Sequence, residues 1–164
     1  MKWTLALDQA TRTTGWAVYH DGNLVTRGHF SISASLGIQD RLVSFTEYLE
    51  KLISKYHIQK IYYESIQYQN NIETYKKLAY IQAMILYKAA KYHIPISGLS
   101  ASHWRKIIKE KHGTSFGRSR AEQKKKAREF VWEHFNQEVT EDEADAICLG
   151  YAGILEDRKT KSAF

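Results

Sequence analysis

The chain has 164 residues, a net charge of +6, 43% hydrophobic residues and a single cysteine. That length buries a core as one domain spanning 1–164. No stretch approaches the ~18 consecutive apolar residues of a membrane span, and the opening MKWTLALDQA lacks a signal peptide's apolar run. Cys148 has no internal disulfide partner, which points to a cytoplasmic home, and seven scattered histidines without HxH or HExxH spacing argue against a zinc site.

In chain order, the run WTLAL (residues 3–7) predicts a short, buried central strand. GWAVYHDGNLVTRGHF reads as two strands joined at Asp21-Gly22, a two-residue hairpin signal. Ile38, Leu42, Phe45, Leu49, Leu52, Ile53 and Tyr56 then recur at helical spacing after Gly37. IQKIYYE (58–64) predicts the fourth strand. Leu78, Ile81, Ile85, Ala89 and Tyr92 mark a second helix that ends before Pro95, and IPISGL (94–99) a fifth strand. From Ser100 onward the pattern is helical apart from a glycine-serine loop at 113–119. The fold expected is α/β, a mixed five-stranded sheet that opens with an antiparallel hairpin, continues through helical crossovers in parallel, and is flanked by helices.

Charge is concentrated in one place. Residues 103–128 hold ten Lys or Arg against Glu110 and Glu122, so this stretch carries +8 and the remainder sums to −2. A flexible basic loop between basic helices suits a phosphate backbone, although a charge run is also the usual dress of a solvated helix face. The candidate nucleic-acid contacts here are Arg105, Lys106, Lys109, Lys111, Arg118, Arg120, Lys124, Lys125 and Lys126.

The acids point to a second function. In TEDEADAICLGYAG (140–153), Thr140 with Glu143 forms a capping-box pattern, and Glu141, Asp142 and Glu143 suit the positive end of a helix dipole. Asp145 lies a turn deeper among apolar residues and needs either solvent or a partner. Asp8 ends the first strand and Glu64 the fourth. If those strands are parallel neighbours, both acids lie at the sheet edge where open α/β sheets place ligands. Four carboxylates gathered there would repel one another unless cations joined them. Oxygen ligands select Mg²⁺ or Mn²⁺, and a pair of such ions serves phosphodiester hydrolysis.

These stretches resemble a known family. LALDQATRTTGWAVY is similar to the first motif of RuvC-type Holliday-junction resolvases, IYYESIQ to their second acidic motif, and DEADAICLGYAG to their closing helix. In character the chain is closest to the small RuvC-like resolvases of bacteriophages of Gram-positive hosts, whose setting would be the bacterial cytoplasm. The resemblance implies an RNase H-like fold, two Mg²⁺ ions per site (Mn²⁺ substituting), and a homodimer that nicks opposite strands of a four-way junction. By motif match Asp8, Glu64, Asp142 and Asp145 are the metal ligands. Lys124 corresponds to a lysine that acts near the scissile phosphate, and Lys106 falls near another family lysine. Tyr68, ahead of the polar QNN at 69–71, is placed to stack on a base unpaired at the branch, or else is an ordinary surface aromatic.

The sequence departs from the family where bacterial enzymes carry Pro-Gly after the first Asp. Here the pair is Gln9-Ala10, and together with the dense KKK at 124–126 it favours a broad range of branched DNA over strict sequence preference. Three rival readings use the same features. An RNase H-like nuclease on RNA–DNA hybrids would need the same carboxylates. A sugar-kinase or actin-like ATPase shares the first motif but needs a second domain. A non-catalytic junction-binding module would need the basic stretch without the acids.

Overall fold

The computed structural model describes residues 2–68 and 70–162. Its elements are β1 (Trp3–Asp8), β2 (Thr13–His20), β3 (Asn23–Ser31), α1 (Ile38–Tyr56), β4 (Lys60–Glu64), α2 (Ile72–Lys91), β5 (Ile96–Leu99), α3 (Ala101–His112), α4 (Arg120–Phe135) and α5 (Glu141–Ser162). The five strands form one sheet in the order β3-β2-β1-β4-β5. β1, β2 and β3 pair antiparallel, whereas β1–β4 and β4–β5 are parallel.

The hairpin turns where its sequence requires. Asp21 and Gly22 both take positive φ, 50° and 87°, the pair of left-handed residues that a tight turn needs to follow the strands' twist. β1 is central and buried on both faces. Leu5 and Leu7, with Val18 and Ile61, pack against Phe45, Leu49, Ile81 and Ile85 of α1 and α2. On the opposite face Ala6, Ala17, Tyr19 and Tyr62 pack against α3, α4 and α5 through Trp104, Phe130, Ile147 and Leu149. The molecule is thus three layers, helices on both sides of a sheet.

Small residues set how close α5 comes to the sheet. A Cβ on Gly150 would lie 2.7 Å from both Ala6 Cβ and the Tyr19 ring, and one on Gly153 2.5 Å from the Tyr62 ring. The Tyr19 hydroxyl donates to the Ile147 carbonyl at 2.6 Å, so the buried ring also fixes the helix lengthwise.

Several boundaries differ from those the sequence predicts. α2 begins at Ile72, well before Leu78, because Asn71 caps it by accepting from the Thr74 amide at 3.1 Å. Its first turns are mostly exposed, Ile72 included, and so lack a buried apolar stripe. The helical run after Ser100 breaks a second time at 136–140, where Asn136 takes a left-handed φ of 53° as the α4 C-cap. β4 and β5 each start two residues later than their apolar runs, and α5 continues to Ser162. Among the described residues no helix is long and apolar enough to cross a membrane.

Candidate active site

Strand pairing puts the first two acids side by side. The β1–β4 ladder runs in register to Leu7↔Tyr63, so Asp8 and Glu64 leave the sheet as neighbours at one edge. α5 lies across that edge. Its first turn is capped as the sequence indicates: the Thr140 amide donates to Glu143 at 3.1 Å and the Glu143 amide to the Thr140 hydroxyl at 3.3 Å. Glu143 also meets His29 Nδ1 at 3.0 Å and Arg27 Nε at 3.9 Å, which ties the helix start to β3. Gly15 lets this happen, since a Cβ there would lie 1.9 Å from the Asp142 carbonyl oxygen. The turn therefore delivers Asp142 and Asp145 to the acidic edge.

The surroundings oppose ionisation. Asp8 is half-buried. Burial, together with Glu64, Asp145 and Asp142, pushes it well above the usual carboxylate range despite Lys124. Glu64 is raised by burial and by Asp145, and Asp145, only 4% exposed, is raised mainly by burial. Lys124 enters from the first turns of α4, and its ammonium pairs with Asp145. Burial works against the charge on Lys124, but Asp145, Asp8 and Asp142 outweigh it and raise its pKa.

Two further side chains from α3 reach the cluster. Trp104 is fully buried, and its indole N–H donates to a Glu64 carboxylate oxygen at 3.2 Å. The Arg105 guanidinium lies 4.8 Å from the Trp104 ring and favours the ionised forms of Glu64 and Asp145. In the sequence Arg105 stands out only as one of many cations, and nothing marks Trp104. Gln9 reads there only as a departure from the family motif. Gln9 is 6% exposed and bonds through its side-chain amide to both the N–H and the C=O of Glu64. No local pattern marks these residues, because their meaning depends on which strand end lies beside them.

The other predicted contacts are scattered around this centre. Lys106 points outward and lies 3.9 Å from Glu110, so Arg105 is the α3 cation beside the acids. Lys109 and Lys111 are exposed in the last turns of α3. Arg118 is exposed in the following loop, and Arg120 opens α4. Lys125 and Lys126 both lean on Glu129, at 3.7 and 2.7 Å. Tyr68 is 73% exposed beside Tyr75, with ring centroids 5.8 Å apart. Of the QNN segment, Gln69 lies outside the described residues and Asn71 is spent on capping α2.

Does a divalent cation fit? Among the described residues no three Asp, Glu, His or Cys are already closed around a common point, and Lys124 compensates the acids instead. The donor set is nonetheless wholly carboxylate oxygen, and Asp145 Oδ1 is buried without a hydrogen-bond partner. An orphaned buried carboxylate oxygen facing other acids is the kind of atom a hard cation satisfies. The residues fit such an ion.

A mixed sheet of this order, with acidic strand ends beneath a closing helix, defines an RNase H-like fold. The family model for crossover junction endodeoxyribonuclease RuvC matches residues 4–151, and the chain belongs to that family. RuvC-family resolvases are metal-dependent nucleases. Among solved structures, Thermus thermophilus RuvC in complex with a Holliday junction substrate is similar with a TM-score of 0.80 at 10% identity, covering 97% of this chain and 96% of that one. The yeast mitochondrial Holliday junction resolvase Ydc2 is similar at a TM-score of 0.62 and 15% identity, over 98% of this chain and 81% of that one. Fowlpox virus resolvase, solved with its Holliday junction DNA, has a TM-score of 0.60 at 11% identity, over 94% and 97% of the two chains. Comparison with curated protein sequences gives no match.

Proposed function

We propose that this chain is a structure-selective endonuclease, acting as one domain, that resolves Holliday junctions and related branched DNA by hydrolysing phosphodiesters. The observation that carries the reading is the meeting of Asp8, Glu64, Asp142 and Asp145 around Lys124 in a member of this family. Those four carboxylates would hold two Mg²⁺ ions, with Mn²⁺ as a substitute. When bound, such ions supply a more acidic attacking water and neutralise charge at the phosphorus during in-line displacement.

The chain's own residues supply the rest. Lys124 keeps its proton, because its acidic neighbours raise its pKa, and so presents a fixed positive charge to a phosphate entering the site. Arg105 adds a second cation on the α3 side, and Trp104 holds the Glu64 carboxylate in orientation. Arg118, Arg120, Lys109, Lys111, Lys125 and Lys126 line the approach for the DNA backbone, with Lys106 further out. Tyr68 stands free to stack on an unpaired base.

One carboxylate cluster cuts one strand, so resolving a four-way junction takes two subunits, and a two-fold dimer matches the junction's symmetry. Ile72, Tyr80, Leu86 and Tyr87 leave exposed apolar side chains on α2 that an association of this kind would cover. A cytoplasmic setting suits the buried, unpaired Cys148.

The test offers Mg²⁺ and three substrates side by side: a synthetic four-way junction, a linear duplex and an RNA–DNA hybrid. The expected result is paired nicks placed symmetrically across the branch point, little cutting of linear duplex and none of the hybrid. Hybrid cleavage without junction cleavage would overturn the reading, since a hybrid nuclease selects on the 2′-hydroxyl.

A further inference from the structure

We infer that Gln9 is a positioning residue that sets the spacing of the Asp8 and Glu64 carboxylates by joining the two strand ends through its side chain. The inference rests on the metal-dependent cleavage proposed for this site. The β1–β4 ladder stops at Leu7↔Tyr63, one residue short of the acids. On its far side Glu64 is still in register with Leu99 of β5. On its near side Asp8 still belongs to β1, but no ladder partner on β1 pairs with Glu64.

Gln9 takes that partner's place. Its Oε1 accepts from the Glu64 amide at 3.2 Å, and its Nε2 donates to the Glu64 carbonyl. A carboxamide carries the same donor and acceptor as a peptide unit, so the side chain adds one more rung to the parallel ladder. The rung is buried, so water does not compete for it. It is also uncharged, and it joins the strand ends without adding to the repulsion among four acids. Glutamate in this position would lack the donor, and asparagine would be one methylene too short. Glu64 is thus anchored twice, its backbone by Gln9 and its carboxylate by Trp104.

The consequence concerns geometry. Residues that orient metal-binding side chains matter nearly as much as the ligands, and losing one typically costs about 10–100-fold in metal affinity or activity. Gln9→Met removes both hydrogen bonds at nearly constant volume and adds no charge. Three measurements are made on wild type and variant: Mn²⁺ binding to the DNA-free protein by electron paramagnetic resonance, single-turnover junction cleavage across a Mn²⁺ titration, and junction affinity in Ca²⁺. Mn²⁺ affinity and the cleavage rate should each fall about ten-fold or more, while junction affinity stays within about two-fold. Gln9→Asn should behave likewise, and it carries the test if circular dichroism shows the Met variant unfolded. Wild-type Mn²⁺ affinity and rate in the folded variants would overturn the inference, as would a lowered melting temperature with unshifted Mn²⁺ binding. Failure of the wild-type protein to cut the junction would count against the proposed function instead, leaving Mn²⁺ binding to judge Gln9.

Discussion

Asp8 sits where burial and three other acids work against its charge, and its ionised form at neutral pH therefore costs stability in the metal-free protein. A carboxyl whose folded pKa is raised contributes stability that is fully present below its unfolded value near 4. That stability is lost as pH rises through the folded value. Asp8→Asn imitates the neutral form at all pH. In a chelator at pH 7 the variant should melt higher than wild type, and the gap should close as pH falls towards the unfolded value near 4. Because part of Asp8 remains open to solvent, the gain is discounted to about 1 kcal/mol, or roughly 2–4 °C for a domain of this size. The same variant should not cleave, yet should bind junctions as well as or better than wild type, since one charge that repels phosphate is gone. Melting curves in a chelator and a gel-shift assay check both halves. A folded Asp8→Asn that cuts near the wild-type rate would remove Asp8 from the site.

At the level of elements, the contact between β2 and the start of α5 carries the argument. A Cβ on Gly15 would meet the Asp142 carbonyl carbon at 2.3 Å as well as its oxygen, and both are backbone atoms without a rotamer to yield. Gly15→Ala should therefore lift the first turn of α5 off the sheet, taking Asp142 and Asp145 with it. Overpacking of this kind costs about 1–3 kcal/mol. Cleavage should fall much further than stability, by at least about ten-fold, because misplacing catalytic groups by about 1 Å can cost 10²-fold. Denaturant unfolding beside a cleavage assay separates the two, and equal wild-type activity would show that the turn adjusts. The sequence made much of this level legible. The apolar run of β1, the Asp21-Gly22 turn and the Thr140–Glu143 capping box are local patterns with local causes, and each appears where predicted. The four acids were readable because two end strands and two share a helix face. The start of α2 was not, since a helix held by an Asn71 cap with mostly exposed first turns has no buried apolar stripe. Gln9, Trp104 and Gly15 were equally hidden, because each acts on a residue far away in sequence: Gln9 and Trp104 on Glu64, and Gly15 on Asp142.

Over the whole molecule, charge is sorted by role more finely than the basic run suggests. Lys124, Lys125 and Lys126 are consecutive, but a helix advances 100° per residue and sends them to different places. Lys124 turns inward to Asp145, whereas Lys125 and Lys126 share Glu129 on the outer face of α4. Ion pairs on that face are worth little, so a DNA phosphate can draw either lysine away from Glu129 at small cost. Each phosphate neutralised on a duplex arm contributes a slope of roughly −0.9 to log K against log[salt]. Replacing Lys125 and Lys126 together by Ala should then flatten the salt dependence of junction binding by up to about two units while leaving single-turnover cleavage of bound junction nearly intact. Lys124→Ala should do the reverse, changing the slope by less than about one unit and lowering the rate of bound complex by about 10²-fold or more. Binding isotherms at four or five salt concentrations, with cleavage started by Mg²⁺ from preformed complex, read both quantities on the same samples. Equal slopes and equal rates for the two variants would mean that the three lysines form one undifferentiated basic face, and that Lys124 has no special place at the phosphate.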